Sequence, residues 1–222
     1  MNYLVKNERI LLGQPEKSEA HLDYYDTVEN ALARHRKMLD KALTQSLGRV
    51  AVFAEVTACI IETLRSGHKV LVAGNGGSAA EAQHFAAELV GRFKRERSPY
   101  AVLSLTTDTS ILTAIANDYG YQDIFARQVL ALGQPGDMLI VFSTSGESEN
   151  LLHAAAAARR CHMTIIAITG DKPNSLECLV DVAMHVPTVD TAITQELHMM
   201  VTHILCDIVE SELMSSKGDT SI

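Results

Sequence analysis

Tryptophan is absent from the 222 residues, and proline (five) and cysteine (four) are scarce. Cys59, Cys161, Cys178 and Cys206 stand singly, without the CxxC pairs of a zinc module or the density of a disulfide scaffold. They are expected to be buried thiols, as free cysteines commonly are. No run approaches the roughly 18 consecutive apolar residues of a membrane span, and the opening MNYLVKNERILLGQPEKSEA lacks the apolar stretch of a secretory signal. A cytoplasmic protein without a membrane partner is expected. Basic residues are outnumbered, 19 Lys and Arg against 27 Asp and Glu, for a net charge of -8 and no basic stripe. That balance repels a phosphate backbone, so nucleic acid is not an expected partner.

The chain does carry ample apolar material, 47% hydrophobic residues, enough for one well-packed core. Residues 1–22 mix charge, Gly13 and Pro15 without sustained periodicity and read as an N-terminal arm, flexible or an interface strap. One domain is expected over 23–216, followed by a flexible tail over 217–222. Two amphipathic segments (DTVENALARHRKMLDKAL and VAVFAEVTACIIETLRSG) predict a helical hairpin, with Gly67 as a stop signal. Beyond Lys69, the runs KVLVAG, YAVLSL, DMLIVFS, MTIIAIT and DVAMHV alternate with helical periods. Five short apolar runs, each expected to be buried on both faces, predict an α/β fold with a five-stranded parallel sheet flanked by helices. A long helix from about Ala192 to Met214 closes the chain.

Two strand-to-helix loops carry anion-binding chemistry. In VLVAGNGGSAAEA the chain passes through Gly74, Asn75, Gly76, Gly77 and Ser78 into a helix, whose first turn offers N–H groups and a positive dipole end. The spacing matches neither the dinucleotide nor the P-loop fingerprint. In DMLIVFSTSGESEN, Ser143, Thr144, Ser145 and Ser148 surround Gly146. Helix capping by Ser145 or Ser148 would explain one or two hydroxyls, but four suit a phosphate monoester better. In an open parallel sheet both loops lie at the carboxyl ends of strands, where ligands bind.

The helix after the first loop places His84 and Glu88 on one face. The last helix carries Gln195, Glu196, His198 and His203 in a segment apolar enough (LHMMVTHILCDIV) to predict a buried histidine at 203. A surface pair and a satisfied core histidine are the plain explanations of these residues. A carboxylate and an imidazole near two phosphate loops, however, are what proton transfer beside a carbonyl requires. His84, Glu88, Gln195 and His203 also form an N/O donor set for zinc or another divalent ion. Eight helical residues span about 12 Å, so Gln195 and His203 share an ion only if it lies between them or subunits combine.

The motifs AGNGGSAAEAQHFAAELVGRF, AIANDYGYQDIFARQV, GDMLIVFSTSGESEN and ITQELHMMVTHILCDIVE resemble those of the sugar isomerase (SIS) fold, and within it of the phosphoheptose isomerases. The resemblance implies isomerisation of D-sedoheptulose 7-phosphate to D-glycero-D-manno-heptose 7-phosphate, through an enediol-type intermediate, at the start of nucleotide-activated heptose synthesis. It implies Glu88 as base and His203 as acid, and zinc on His84, Glu88, Gln195 and His203. Phosphate contacts fall on Ser143, Thr144, Ser145 and Ser148, and sugar contacts on Asn75, Gly76, Ser78, Arg92, Asp118 and Gln195. It also implies a homotetramer. Glu147 stands where the family more often has Asn, and a carboxylate beside a bound phosphate should weaken its binding unless the side chain turns away. A non-enzymatic relative, the replication-initiator-associating protein, has similar segments but a small residue in place of the helix carboxylate. Retention of Glu88 with His203 favours the enzyme.

Overall fold

The computed structural model describes residues 19–216. The expected arm therefore lies outside the described residues except for 19–22, which form the first helical turn, and the expected tail lies wholly outside them. The chain divides into two compact units, Met1–Asp40 and Lys41–Ile222, with the division falling inside the first helix. That helix, α1, spans Glu19–Ser46 and passes through a single 3-10 turn, Leu47–Arg49, into α2, Val50–Arg65. Ser46 and Val50, on either side of the turn, both keep right-handed helical backbone angles, so the expected loop of a hairpin is a local tightening of helix. The stop at Gly67 falls two residues after α2 ends.

From there the second unit runs β1 (Val70–Gly74), α3 (Gly77–Val90), β2 (Val102–Ser104), α4 (Thr109–Tyr119), α5 (Ala126–Leu132), β3 (Met138–Ser143), α6 (Glu149–Arg160), β4 (Thr164–Thr169), β5 (Val182–His185) and α7 (Thr191–Ser216). All five strands are parallel, in the order β2-β1-β3-β4-β5, with Val70 level with both Val102 and Met138 and with Met138 level with Thr164. Side chains alternate across this sheet. Leu71, Ala73, Leu139, Val141, Ile165 and Ala167 meet α5 and α6 on one face. On the other face the Phe142 ring meets Phe85 of α3 at 6.2 Å and His198 of α7 at 5.8 Å.

Helix α6 shows how sequence sets this packing. Its run of five alanines combines high helix propensity with small size, and Ala154, Ala155, Ala157 and Ala158 are fully buried against the sheet. Glu149 in its first turn and Arg159 and Arg160 in its last complement the helix dipole.

Two expectations are corrected. Burial on both faces holds for the three inner strands, but Leu103 of β2 is 43% exposed, and Ala183 and His185 of β5 are half-buried. An edge strand has a neighbour on one side only and lies at the rim of the helical cover. Of the four cysteines only Cys206 is buried, while Cys59 and Cys161 are half-buried and Cys178 is exposed. Cys161 caps the end of α6 and only packs against the margin of the core, and Cys178 ends a 3-10 turn outside the sheet. Burial, with help from the Glu88 and Glu210 charges, pushes the Cys206 thiol up to about 12. No helix among the described residues is long and apolar enough to cross a membrane.

Candidate active site

Because β1 is flanked by β2 on one side and β3 on the other, the sheet order reverses between β1 and β3, and the loops leaving these two strands lie side by side. Gly74 is sterically required, since a Cβ there would stand 2.3 Å from the Ser78 carbonyl oxygen, and Gly76 takes a positive φ of 56°. The loops are tied by a reciprocal amide pair. Asn75 Nδ2 donates to Asn150 Oδ1 and Asn150 Nδ2 donates to Asn75 Oδ1, both at 2.8 Å. The Tyr121 hydroxyl donates to the same Asn75 oxygen at 3.1 Å. Gly76 caps α3, and Ser78 is buried in its first turn, with its N–H on the Asn75 carbonyl.

The second loop is organised by its own hydroxyls. Ser143 Oγ accepts from Gly146 N at 2.9 Å, and Ser145 Oγ accepts from Glu147 N at 3.2 Å. Both hydroxyls keep their O–H free to donate. Ser148 is the N-cap residue of α6 but makes no side-chain cap bond, so capping does not account for it. Gly146 takes a positive φ of 69°, and a Cβ there would collide with Asn174 at 2.2 Å. The Glu147 carboxylate turns away from the loop's hydroxyls to accept from Ser175 N (2.8 Å) and Ser175 Oγ (2.7 Å). These bonds from Ser175 hold its carboxyl below the usual glutamate range. The conflict between this charge and an anion is thus relieved locally.

Across α3 and α7 the predicted acid and base converge. His84 Nε2 lies 3.1 Å from Glu88 Oε1 and 3.0 Å from His203 Nε2, and the two imidazoles meet edge to face at 68°. One potential ligand atom from each of His84, Glu88 and His203 lies within 4.8 Å of the others. Zinc bonds of about 2.0–2.1 Å in a tetrahedron put neighbouring ligand atoms about 3.3 Å apart, so this N, N, O set fits a zinc-sized ion. Gln195 lies against the same helix: its amide occupies the space a Cβ on Gly77 would fill, and it lines a pocket of about 480 Å³ with Gly77, Glu81, His84 and Glu196.

One expectation differs from the structure. His203 is exposed; the buried histidine of α7 is His198, which packs on Phe142 and whose Nδ1 lies 3.1 Å from Glu81 Oε2. Arg92 is exposed and faces Glu96 at 3.5 Å, and exposed Asp118 accepts from Asn117 Nδ2 at 2.8 Å. Neither residue is brought to the histidine cluster. Three features escaped the sequence reading: the Glu81–His198 pair, the Asn75–Asn150 link, and Phe93, whose ring stacks on His203 at 5.4 Å with 17° between planes. Glu81 sits three residues before His84 and His198 three after Gln195, so helical spacing alone could have placed them on the same faces.

The SIS domain family matches residues 23–170 of the chain. A Bradyrhizobium protein named phosphoheptose isomerase is 45% identical over 188 residues, covering 84% of this chain and 94% of the relative. The solved structure of a phosphoheptose isomerase from Neisseria gonorrhoeae superposes with a TM-score of 0.78 at 39% identity, covering 83% of this chain and 99% of that one. That of a phosphoheptose isomerase from Francisella tularensis gives 0.75 at 36% identity, with coverage of 82% and 98%.

Proposed function

Because the chain belongs to the SIS-domain family, and within it to the phosphoheptose isomerases, we propose that it interconverts D-sedoheptulose 7-phosphate and D-glycero-D-manno-heptose 7-phosphate in heptose biosynthesis. The observation that carries the reading is the convergence of Glu88 and His203 on His84, at 3.1 and 3.0 Å, beside two strand-end loops joined through Asn75 and Asn150.

The division of labour follows from the groups present. Ser143, Thr144, Ser145 and Ser148 hold the phosphate at the N-terminus of α6, where hydroxyls and the helix dipole oppose its charge. Asn75, Gly76, Ser78 and Gln195 line the sugar's path, and Arg92 and Asp118 complete it from outside the cluster. Glu88 removes a proton from carbon 1 of the ketose while His203 protonates the carbonyl oxygen on carbon 2, giving an enediol. Return of the proton to carbon 2, with loss of the carbon 1 hydroxyl proton, yields the aldose. An ion held by His84, Glu88, His203 and Gln195 would polarise the substrate oxygens.

Exposed apolar residues recur on α1 at Tyr25, Val28 and Leu32, and in the second unit at Leu43 of α1, Leu47 of the 3-10 turn and Val50 of α2. Such a stripe on a helix supports self-association, and a homotetramer is the reading adopted, working in the cytoplasm. The test is incubation of the purified protein with sedoheptulose 7-phosphate, with and without a chelator, followed by NMR. Aldose formation that chelation abolishes is expected. A folded protein that forms no aldose in either condition would overturn the reading.

A further inference from the structure

Near the end of α7, the side chain of Glu210 is fully buried and receives three successive backbone N–H groups of the segment after α3. Phe93 N and Lys94 N donate at 3.0 and 2.9 Å and Arg95 N at 3.0 Å. The Arg97 side chain, only 3% exposed, places Nε 3.3 Å from Glu210 Oε1, close enough for an ion pair but off the hydrogen-bonding direction. The other nitrogens of Arg97 reach the end of α3 and its cap: one donates to the Glu88 carbonyl at 2.9 Å, the other to the Leu89, Gly91 and Ser98 carbonyls at 2.8, 3.1 and 3.1 Å. Its guanidinium also lies 4.1 Å over the Tyr100 ring.

This arrangement reaches the reaction cluster twice. Through Arg97 it fixes the backbone of Glu88, capping carbonyls that the end of a helix leaves unsatisfied. Through the Phe93 N–H it fixes the residue whose ring lies nearly parallel to His203. We propose that the buried Glu210–Arg97 pair and the Phe93 ring are positioning residues for this isomerase, holding the Glu88 carboxylate and the His203 imidazole plane in register for proton transfer. The proposal rests on the assignment of Glu88 and His203 above.

A neighbour that acts only by orienting reacting groups alters turnover more than substrate binding. Phe93→Leu keeps apolar bulk but removes the flat face; Phe93→Tyr keeps the face. Phe93→Leu is expected to lower kcat about tenfold or more with KM within about twofold and an unchanged melting temperature, and Phe93→Tyr to restore most of the loss. Glu210→Gln, which turns an amide N–H₂ toward N–H donors, is expected to lower kcat in the same way. Should it fail to fold, the partly exposed Phe93 pair carries the test alone. Wild-type protein assayed alongside separates the two levels: no wild-type turnover overturns the isomerase reading and this inference with it. Normal wild-type turnover with full kcat in Phe93→Leu, or with Phe93→Tyr no better than Phe93→Leu, overturns this inference alone.

Discussion

Helices α3 and α7 bring carboxylate and imidazole together twice, and the two meetings differ in access. Glu81 and His198 touch at 3.1 Å with side chains 4% and 0% exposed, whereas Glu88, His84 and His203 meet at similar distances with the imidazole of His84 37% exposed and His203 on the surface. Chemically the pairs are alike; burial sorts them. The sealed pair can hold two helices in register, while the open one can exchange protons with a ligand. In the sealed pair Glu81 Oε1 and His198 Nε2 have no further partner among the described residues, so each depends on the other.

Substitutions should separate these roles. Glu88→Gln removes the proposed base yet leaves the serine loop intact, and turnover is expected to fall about 10²-fold or more with sugar-phosphate affinity nearly unchanged, measured by NMR rates beside calorimetric binding. Ser145→Ala deletes one of the hydroxyls proposed to hold the phosphate. It should raise KM about tenfold while kcat changes little, as expected for a hydrogen bond to a charged group. Glu81→Leu acts on the other pair. Leaving His198 buried without its acceptor should cost about 1–3 kcal/mol of unfolding free energy in urea titration. Loss of stability at Glu88→Gln comparable with that at Glu81→Leu would erase the distinction drawn between the pairs.

Acid sharpens the contrast further. Burial pushes the carboxyls of Glu210 and Asp137 up. Against this stand the N–H donors of Lys94, Phe93 and Arg95 with the Arg97 charge, and for Asp137 those of Lys69 and Gln134; these prevail, and both carboxyls titrate below their ordinary values. A depressed folded-state value means that the unfolded chain takes up the proton first. The stabilisation is therefore complete above the ordinary carboxylate range and is lost as pH falls through the depressed values. Urea midpoints should fall on acidification below that range, and Glu210→Gln should flatten the dependence. The smallest effect is expected at Glu147→Asn, which breaks an exposed contact with Ser175 and should change KM by less than about fivefold.

Much of this was legible in the sequence. Strands announced themselves as apolar runs between helical periods, and α3, α6 and α7 by spacing and by Gly76 and Ser148 at their starts. The partners of Glu88 followed from i, i+4 geometry on α3. Which histidine of α7 is buried did not, because His198 and His203 lie in one apolar segment, and only the packing of α7 on Phe142 and α3 decides between them. Glu210 and Arg97 were invisible for a related reason. A charged residue near a helix end reads as solvated until the loop that folds over it is known, and here three backbone N–H groups, from residues 115 to 117 positions away, replace the water.

The claim that Glu88 moves the proton is tested most directly by following sedoheptulose 7-phosphate in D₂O by NMR, with wild-type and Glu88→Gln proteins side by side. The account predicts aldose from the wild type, with deuterium at carbon 2 wherever the proton on Glu88 exchanges with solvent before its return, and aldose forming about 10²-fold or more slowly from the variant. Aldose formed by Glu88→Gln at the wild-type rate would contradict it.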